Sequence, residues 1–251
     1  MTDLHSHILP GIDDGAADCQ AALRLLEMES IQGTRRIALT SHFKRADSDI
    51  DTFLNRRAQA AAQLQAAIAE TDLELELKLG SEVMYYPGMI SEPIYRLCLQ
   101  GTDVLLVELP MDHQPPFILD TLEYLRSDGI IPVIAHVERY RYLREDPRIL
   151  AQWVEMGAYA QINGTSLVRG GERGEMAVKF LKWNLAHLVA TDTHNPDKRP
   201  PILRQALREV DKQLGGKKAA WLRANADALF AGQEPEYRKP HIPRRILGAW
   251  L

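Results

Sequence analysis

The chain has 251 residues, 45% hydrophobic and 25% charged, with a formal net charge of −4 and a pI near 6.1. That length and balance suit one large α/β domain with its own core, and the mild acidity excludes a broad electrostatic footprint for nucleic acid. Two cysteines are too few for a disulfide-stapled secreted fold, neither opens a Cys-x5-Arg phosphate loop, and no run approaches a membrane span or a signal peptide, so a cytoplasmic protein without membrane insertion is expected.

From the amino terminus, strand-like runs at residues 2–5, 36–40, 73–81, 103–108, 130–135, 158–162 and 187–191 alternate with helix-like runs at 18–32, 51–70, 118–128, 147–156, 172–184 and 202–230. Most strand runs are short and apolar throughout, as in Val104-Leu105-Leu106-Val107, which is the pattern of strands covered on both faces. The third differs: Leu73-Glu74-Leu75-Glu76-Leu77-Lys78-Leu79 alternates strictly, so its first part has one wet face. Gly33, Gly129 and Gly157 stand between a helix and the next strand, where glycine accepts the left-handed backbone that ends a helix. Repeated strand–helix units require parallel strands with right-handed crossovers, and seven of them suggest a closed or nearly closed barrel, an open sheet being the alternative that the pattern alone does not separate from it. No linker divides the chain, which reads as a single domain over 1–251. Residues 234–251 form a C-terminal extension with three prolines and an apolar end. That end either packs on the domain or meets a partner, packing being the expectation because exposed Trp and Leu are unusual without a binding role. The arginine doublets 35–36, 56–57 and 244–245 read as solvated faces.

The polar residues fall at the strand ends. The first strand runs into His5 and His7, with Asp13-Asp14-Gly15 in the loop beyond; the second runs into His42, the third into Glu82, the fourth into Glu108. The fifth ends at His136, the sixth at Asn163, and the seventh at Asp192 followed by His194. In a parallel barrel these carboxyl ends converge on the face where active sites are built. A lone histidine or glutamate there is ordinary, but buried carboxylates gathered together repel one another and suffer desolvation unless cations neutralise them. A metal site follows. Imidazole and carboxylate without thiolate suit manganese, iron or zinc. Nine candidate donors (His5, His7, Asp14, His42, Glu82, Glu108, His136, Asp192 and His194) call for two or three ions with a bridging carboxylate if positions stay open for water and substrate. Such a cluster fits phosphate ester hydrolysis, and Arg139 and Arg199, in loops on the same face, supply guanidinium forks for phosphoryl oxygens.

Asp3-Leu4-His5-Ser6-His7 with Asp13-Asp14-Gly15, Ser41-His42, Gly80-Ser81-Glu82-Val83, Val107-Glu108, Ala135-His136-Val137-Glu138-Arg139-Tyr140 and Thr191-Asp192-Thr193-His194 resembles the polymerase-and-histidinol-phosphatase (PHP) superfamily. Within it the likeness is to the bacterial manganese-dependent protein-tyrosine phosphatases of capsule and exopolysaccharide synthesis, and it spans about residues 1 to 230. The opening two histidines alone are a weak signal; the specific ones are His136 to Tyr140 and His194 to Pro201. The resemblance implies a distorted (βα)7 TIM-like barrel and three divalent ions, manganese foremost with iron or zinc as alternatives. His5, His7, Glu82 and Asp192 would hold the first; Glu82, Glu108 and His136 the second; and Asp14, His42 and His194 the third. It further implies that Arg139 and Arg199 grip the phosphate, that no covalent enzyme intermediate forms, and that the substrate is the phosphotyrosine tail of a bacterial tyrosine autokinase. The loop Met111-Asp112-His113-Gln114-Pro115-Pro116 is less typical; His113 either touches substrate or is a plain loop residue. The rival readings are a PHP phosphoesterase for a small monoester (histidinol phosphate, a nucleotide or a sugar phosphate) and a non-catalytic regulator.

Overall fold

A computed structural model describes residues 1–246 and 249–250. In chain order, β1 (Thr2–Ser6) is followed by α1 (Cys19–Gln32), β2 (Arg36–Leu39), β3 (His42–Phe43), α2 (Ile50–Ala69), β4 (Glu76–Leu79), β5 (Glu82–Met84) and β6 (Val104–Glu108). Next come α3 (Ile118–Ser127), β7 (Ile131–Ile134), α4 (Arg141–Glu145), α5 (Arg148–Glu155), β8 (Tyr159–Asn163), α6 (Gly164–Arg169), α7 (Gly171–Lys182) and β9 (Leu188–Ala190). The chain ends with α8 (Leu203–Leu214), α9 (Gly216–Phe230) and the small antiparallel pair β10 (Arg245–Ile246) and β11 (Ala249–Trp250).

All pairings among β1 to β9 are parallel, in the orders β1-β2-β4 and β3-β5-β6-β7-β8-β9. The second and third staves run on past the expected strand ends, as β3 after a break at Thr40-Ser41 and as β5 after a break at Gly80-Ser81. The two breaks lie side by side, since a Cβ on Gly80 would stand 3.1 Å from Thr40 Cγ2. Arg57 donates to Gly80 O and Ser81 Oγ, both at 2.8 Å, satisfying a carbonyl at the break. The third stave also starts later than expected, at Glu76, although Leu73 to Leu77 do alternate half-buried with exposed as the sequence pattern requires. The ring is drawn together at its carboxyl end, where Asp192 N donates to His5 O and His7 N to Thr193 O, each at 2.8 Å. The result is a distorted barrel of seven parallel staves.

Leu4, Ala38, Leu106, Val133 and Leu188, one from each of five staves, share one buried cluster and so fill the barrel interior. Leu229 and Phe230 of α9 join it and plug the amino end, because a barrel interior is a packed core and not a pore. The other helices cover the outside, α1 and α2 over one side and α3, α5, α7 and α8 over the rest. The expected helix at 202–230 is broken at Gly215, whose φ of 85° suits glycine. In the C-terminal extension Trp250 Nε1 donates to Glu145 O at 3.1 Å and Arg148 sits 5.3 Å from its ring, so this end does pack on the barrel; Leu247, Gly248 and Leu251 lie outside the described residues.

Candidate metal centre

Three backbone devices bring the polar residues to the mouth. The β1–β2 register runs Asp3↔Ile37 and then Ser6↔Leu39, an extra residue on β1 that changes which side chains face inward. Leu4 therefore fills the interior while His5 and His7 reach the mouth. On β7, Ile131, Val133 and Ala135 share the interior cluster, so plain alternation would turn His136 outward; its left-handed φ of 33° re-aims it inward. The third is Gly15: a Cβ there would stand 1.9 Å from His7 O, so the Asp13-Asp14 loop can close over His7 only with glycine at this place.

Around Glu82 the side chains meet closely. Its Oε2 lies 3.3 Å from His5 Nε2, 3.3 Å from His7 Nε2 and 2.9 Å from His42 Nδ1, and its Oε1 lies 3.0 Å from His136 Nε2. Glu108 Oε1 is 3.4 Å from His136 Nε2. Asp192 Oδ1 is 3.5 Å from His5 Nε2 and from His7 Nε2. Asp14 Oδ1 stands 3.4 Å from His42 Nε2 and 3.3 Å from His194 Nε2. Both expected arginines reach Asp192, Arg199 Nη2 at 2.6 Å to Oδ1 and Arg139 Nη1 at 3.4 Å to Oδ2. All nine candidate donors and both arginines are thus brought together. Apart from Asp14 and His42 the donors are buried.

Eight of the nine donors, all but His136, fall into three overlapping groups whose ligand atoms lie within 4.8 Å of one another: His7, Asp14, His42 and His194; His5, His7 and Asp192; and His42, Glu82 and Glu108. This differs from the partition implied by resemblance: His7 also joins the Asp14 group, Glu82 is absent from the His5 group, and His42 stands where His136 was placed. Burial raises the cost of charge on Glu82, but His5, His136 and His42 outweigh it and hold the carboxyl well below its usual range. Burial likewise opposes a proton on His7 and His136. The carboxylates of Asp13 and Glu82 overcome it for His7, raised to about 10, and those of Glu108 and Glu82 for His136, raised to about 9. Protons on these rings balance the buried carboxylates, and a cation bound there displaces them.

The donor atoms also fit a metal by their lack of other partners. His42 Nδ1, Glu82 Oε2 and His194 Nε2 are buried without a hydrogen bond, although each has an oppositely polarised atom within 3.5 Å. Atoms that approach so closely without hydrogen-bond geometry point at a common centre, as ligands of shared cations do. Cys98 does not suit a thiol nucleophile: it is buried, and burial, with Asp103 nearby, pushes its thiol up to about 12.

The residues that hold the donors are Asp13 and Asn163, which the sequence places in the loop after the first strand and at the end of the sixth without a role, and Gln161, which it does not single out. Asp13 Oδ2 accepts from His42 N at 2.9 Å and lies 2.8 Å from His7 Nδ1; Asn163 Nδ2 donates to Asp192 Oδ2 at 2.7 Å. Fully buried Gln161 accepts through Oε1 from His136 N at 2.7 Å, which identifies that atom as oxygen, and the same atom lies 3.2 Å from His5 Nδ1. His5 Nδ1 must then carry the proton, leaving Nε2 for a cation. Alternation along β8 was the available signal, because Tyr159, Gln161 and Asn163 share one face. We expect Gln161→Leu to weaken metal retention about 10- to 100-fold and Gln161→Glu, which keeps an acceptor, to restore it. Metal content after graded dialysis is the measurement, and full retention by the leucine variant would refute the role. His113 stands exposed on its loop.

The family model described as "Capsular polysaccharide synthesis, CpsB/CapC" matches residues 1–231. The chain is 33% identical to the tyrosine-protein phosphatase YwqE of Bacillus subtilis, with 99% of both chains covered, and 33% identical to the tyrosine-protein phosphatase CpsB of Streptococcus pneumoniae, over 87% of this chain and 93% of that one. Among solved structures, one from a study of YwqE and S. pneumoniae CpsB, described there as unique metal-dependent tyrosine phosphatases, superposes with a TM-score of 0.90 at 32% identity, covering 98% of this chain and 100% of that one. Histidinol phosphate phosphatase of Lactococcus lactis shares the fold alone, at 15% identity and a TM-score of 0.53, over 87% of this chain and 94% of that one.

Proposed function

This chain belongs to the capsular polysaccharide synthesis CpsB/CapC family, and from that membership we propose that it is a metal-dependent protein-tyrosine phosphatase serving capsule or exopolysaccharide synthesis. The carrying observation is the set of buried imidazoles and carboxylates around Glu82 with two arginines on its rim. We read it as a three-cation site, with manganese the first choice and iron or zinc the alternatives. The ligands are His5, His7, Asp14, His42, Glu82, Glu108, His136, Asp192 and His194. Cations bound there supply Lewis-acid charge and lower the pKa of water.

The chain's own groups do the rest. Arg139 and Arg199 bind the phosphoryl oxygens, for which the Asp192 carboxylate, between both guanidinium groups, stands in here. Asp13 and Gln161 fix the rings of His7 and His5 so that Nε2 faces the centre. Burial of Glu82 and Asp192 removes competing water, which strengthens each of these contacts. The substrate under this reading is the phosphotyrosine-bearing tail of a bacterial tyrosine autokinase, met in the cytoplasm; no helix among the described residues is long and apolar enough to cross a membrane.

A substrate panel tests the proposal. Phosphotyrosyl peptides should be hydrolysed with kcat/KM about tenfold or more above alkyl phosphates such as histidinol phosphate. Chelation should abolish turnover, Mn²⁺ should restore it, and thiol alkylation should leave it unchanged. Preference for the alkyl phosphates would favour the small-monoester reading, and activity that survives rigorous chelation would remove the metal mechanism.

A further inference from the structure

Beside the phosphate-binding rim lies a hollow of about 350 Å³, walled by Thr165 and Ser166 at the start of α6, by Arg169 at its end and by Arg173 in the first turn of α7. Both walls are joined to the metal centre. Thr165 follows two residues after Asn163, whose amide holds Asp192. Arg169 Nη2 donates to Lys198 O at 2.9 Å, and Lys198 immediately precedes Arg199.

The charge of the hollow is one-sided. Glu172 is its only lining acid, and Arg144 Nε pairs with it at 3.4 Å. Neither Arg169 nor Arg173 forms an ion pair among the described residues, although most arginines near this face do. Two guanidinium groups without acid partners, exposed at a concave surface, match a carboxylate or phosphate by their fork geometry. The hollow beside Asp14 and His42 is a poorer candidate because three aspartates, Asp13, Asp14 and Asp47, line it together with Lys44 and Arg56.

We propose that this hollow is a secondary anion subsite that receives an acidic or phosphorylated residue flanking the scissile phosphotyrosine of a peptide substrate. The proposal rests on the phosphatase reading and adds to it a preference in peptide sequence. An exposed subsite of this kind acts on substrate capture, so it moves KM and its salt dependence, while kcat is left to the metal centre.

The experiment compares the manganese-loaded full chain on p-nitrophenyl phosphate and on four phosphotyrosyl peptides, flanked by alanine, glutamate, a second phosphotyrosine or lysine. Arg173→Glu is expected to raise KM about tenfold for the glutamate- and phosphotyrosine-flanked peptides and to lower it for the lysine-flanked one. The alanine-flanked peptide and p-nitrophenyl phosphate should be unchanged. The paired substitution Arg169→Met with Arg173→Met should erase the difference between glutamate and alanine flanks. A larger effect on the phosphotyrosine flank than on glutamate identifies phosphate as the preferred anion, and the reverse identifies carboxylate. Equal KM values for wild type on all four peptides, or a charge reversal that shifts them all alike, would overturn the subsite while leaving the phosphatase reading intact. Wild type inactive on every substrate would overturn both.

Discussion

Replacing Glu82 by glutamine is expected to strip the protein of bound metal and to lower turnover by about a thousandfold or more. The substitution keeps the shape of a 1%-exposed side chain but removes the charge facing four imidazole nitrogens at 2.9 to 3.3 Å, those of His5, His7, His42 and His136. An amide offers a single oxygen for cations, and its NH2 group is an unsuitable neighbour for nitrogen ligands that must present lone pairs. It also removes one of the two carboxylates that stabilise the cationic form of the buried rings of His7 and His136, leaving Asp13 to the first and Glu108 to the second. Elemental analysis of the purified variant, followed by hydrolysis of p-nitrophenyl phosphate with added Mn²⁺, gives the answer. Full metal content with near-normal turnover would show that Glu82 does not ligate.

Arg199→Ala should behave differently, losing about a hundredfold in kcat/KM, roughly 3 kcal/mol, while keeping the metal. Arg199 Nη2 sits 2.6 Å from Asp192 Oδ1 and Nη1 sits 3.7 Å from Asp14 Oδ2, so it flanks carboxylates of two donor groups without being a possible ligand itself. Arg139, 3.4 Å from the other oxygen of Asp192, approaches the same place from the turn Val137–Arg139 that follows β7. A phosphate dianion entering between them gains two forks that a ground-state carboxylate now occupies. Lysine at position 199 should recover little, because a point charge lacks the bidentate geometry. The readings are steady-state kinetics on a phosphotyrosyl peptide and metal analysis of the same preparation. Unchanged kcat/KM would remove Arg199 from phosphate binding, and loss of metal would assign it a supporting role for Asp192 instead.

Much of this architecture was legible before any coordinates. Apolar runs such as Val104 to Val107 can be stable only when covered on both faces, and their alternation with helices calls for parallel strands joined by right-handed crossovers. Val104, Leu106 and Glu108 lie two apart, so the carboxylate of Glu108 follows the interior apolar residues into the mouth by simple alternation. The continuation of two staves as β3 and β5 was hidden, because the strand patterns end at Thr40 and Ser81 and the pieces beyond are only 2 and 3 residues long. What marks the break on the third stave is the close approach of Thr40 and the Arg57 hydrogen bonds to Gly80 and Ser81, neither of which is a local property. The same holds for α6 and for the turn Val137–Arg139, short pieces whose lengths are set by where Asn163 and His136 must point.

The sequence by itself determined the donor inventory: which residues can bind a cation, their order along the chain, and their place at strand ends, all consequences of residue chemistry and a period of two. Tertiary structure alone decided how those donors are held. The β1 bulge that re-aims His5 and His7, the left-handed turn at His136 and the close approach of the loop at Gly15 to His7 are products of ring closure. The physical reason is that closing seven staves fixes each strand against two neighbours remote in sequence, and the resulting local distortions carry no signature in the residues that bear them.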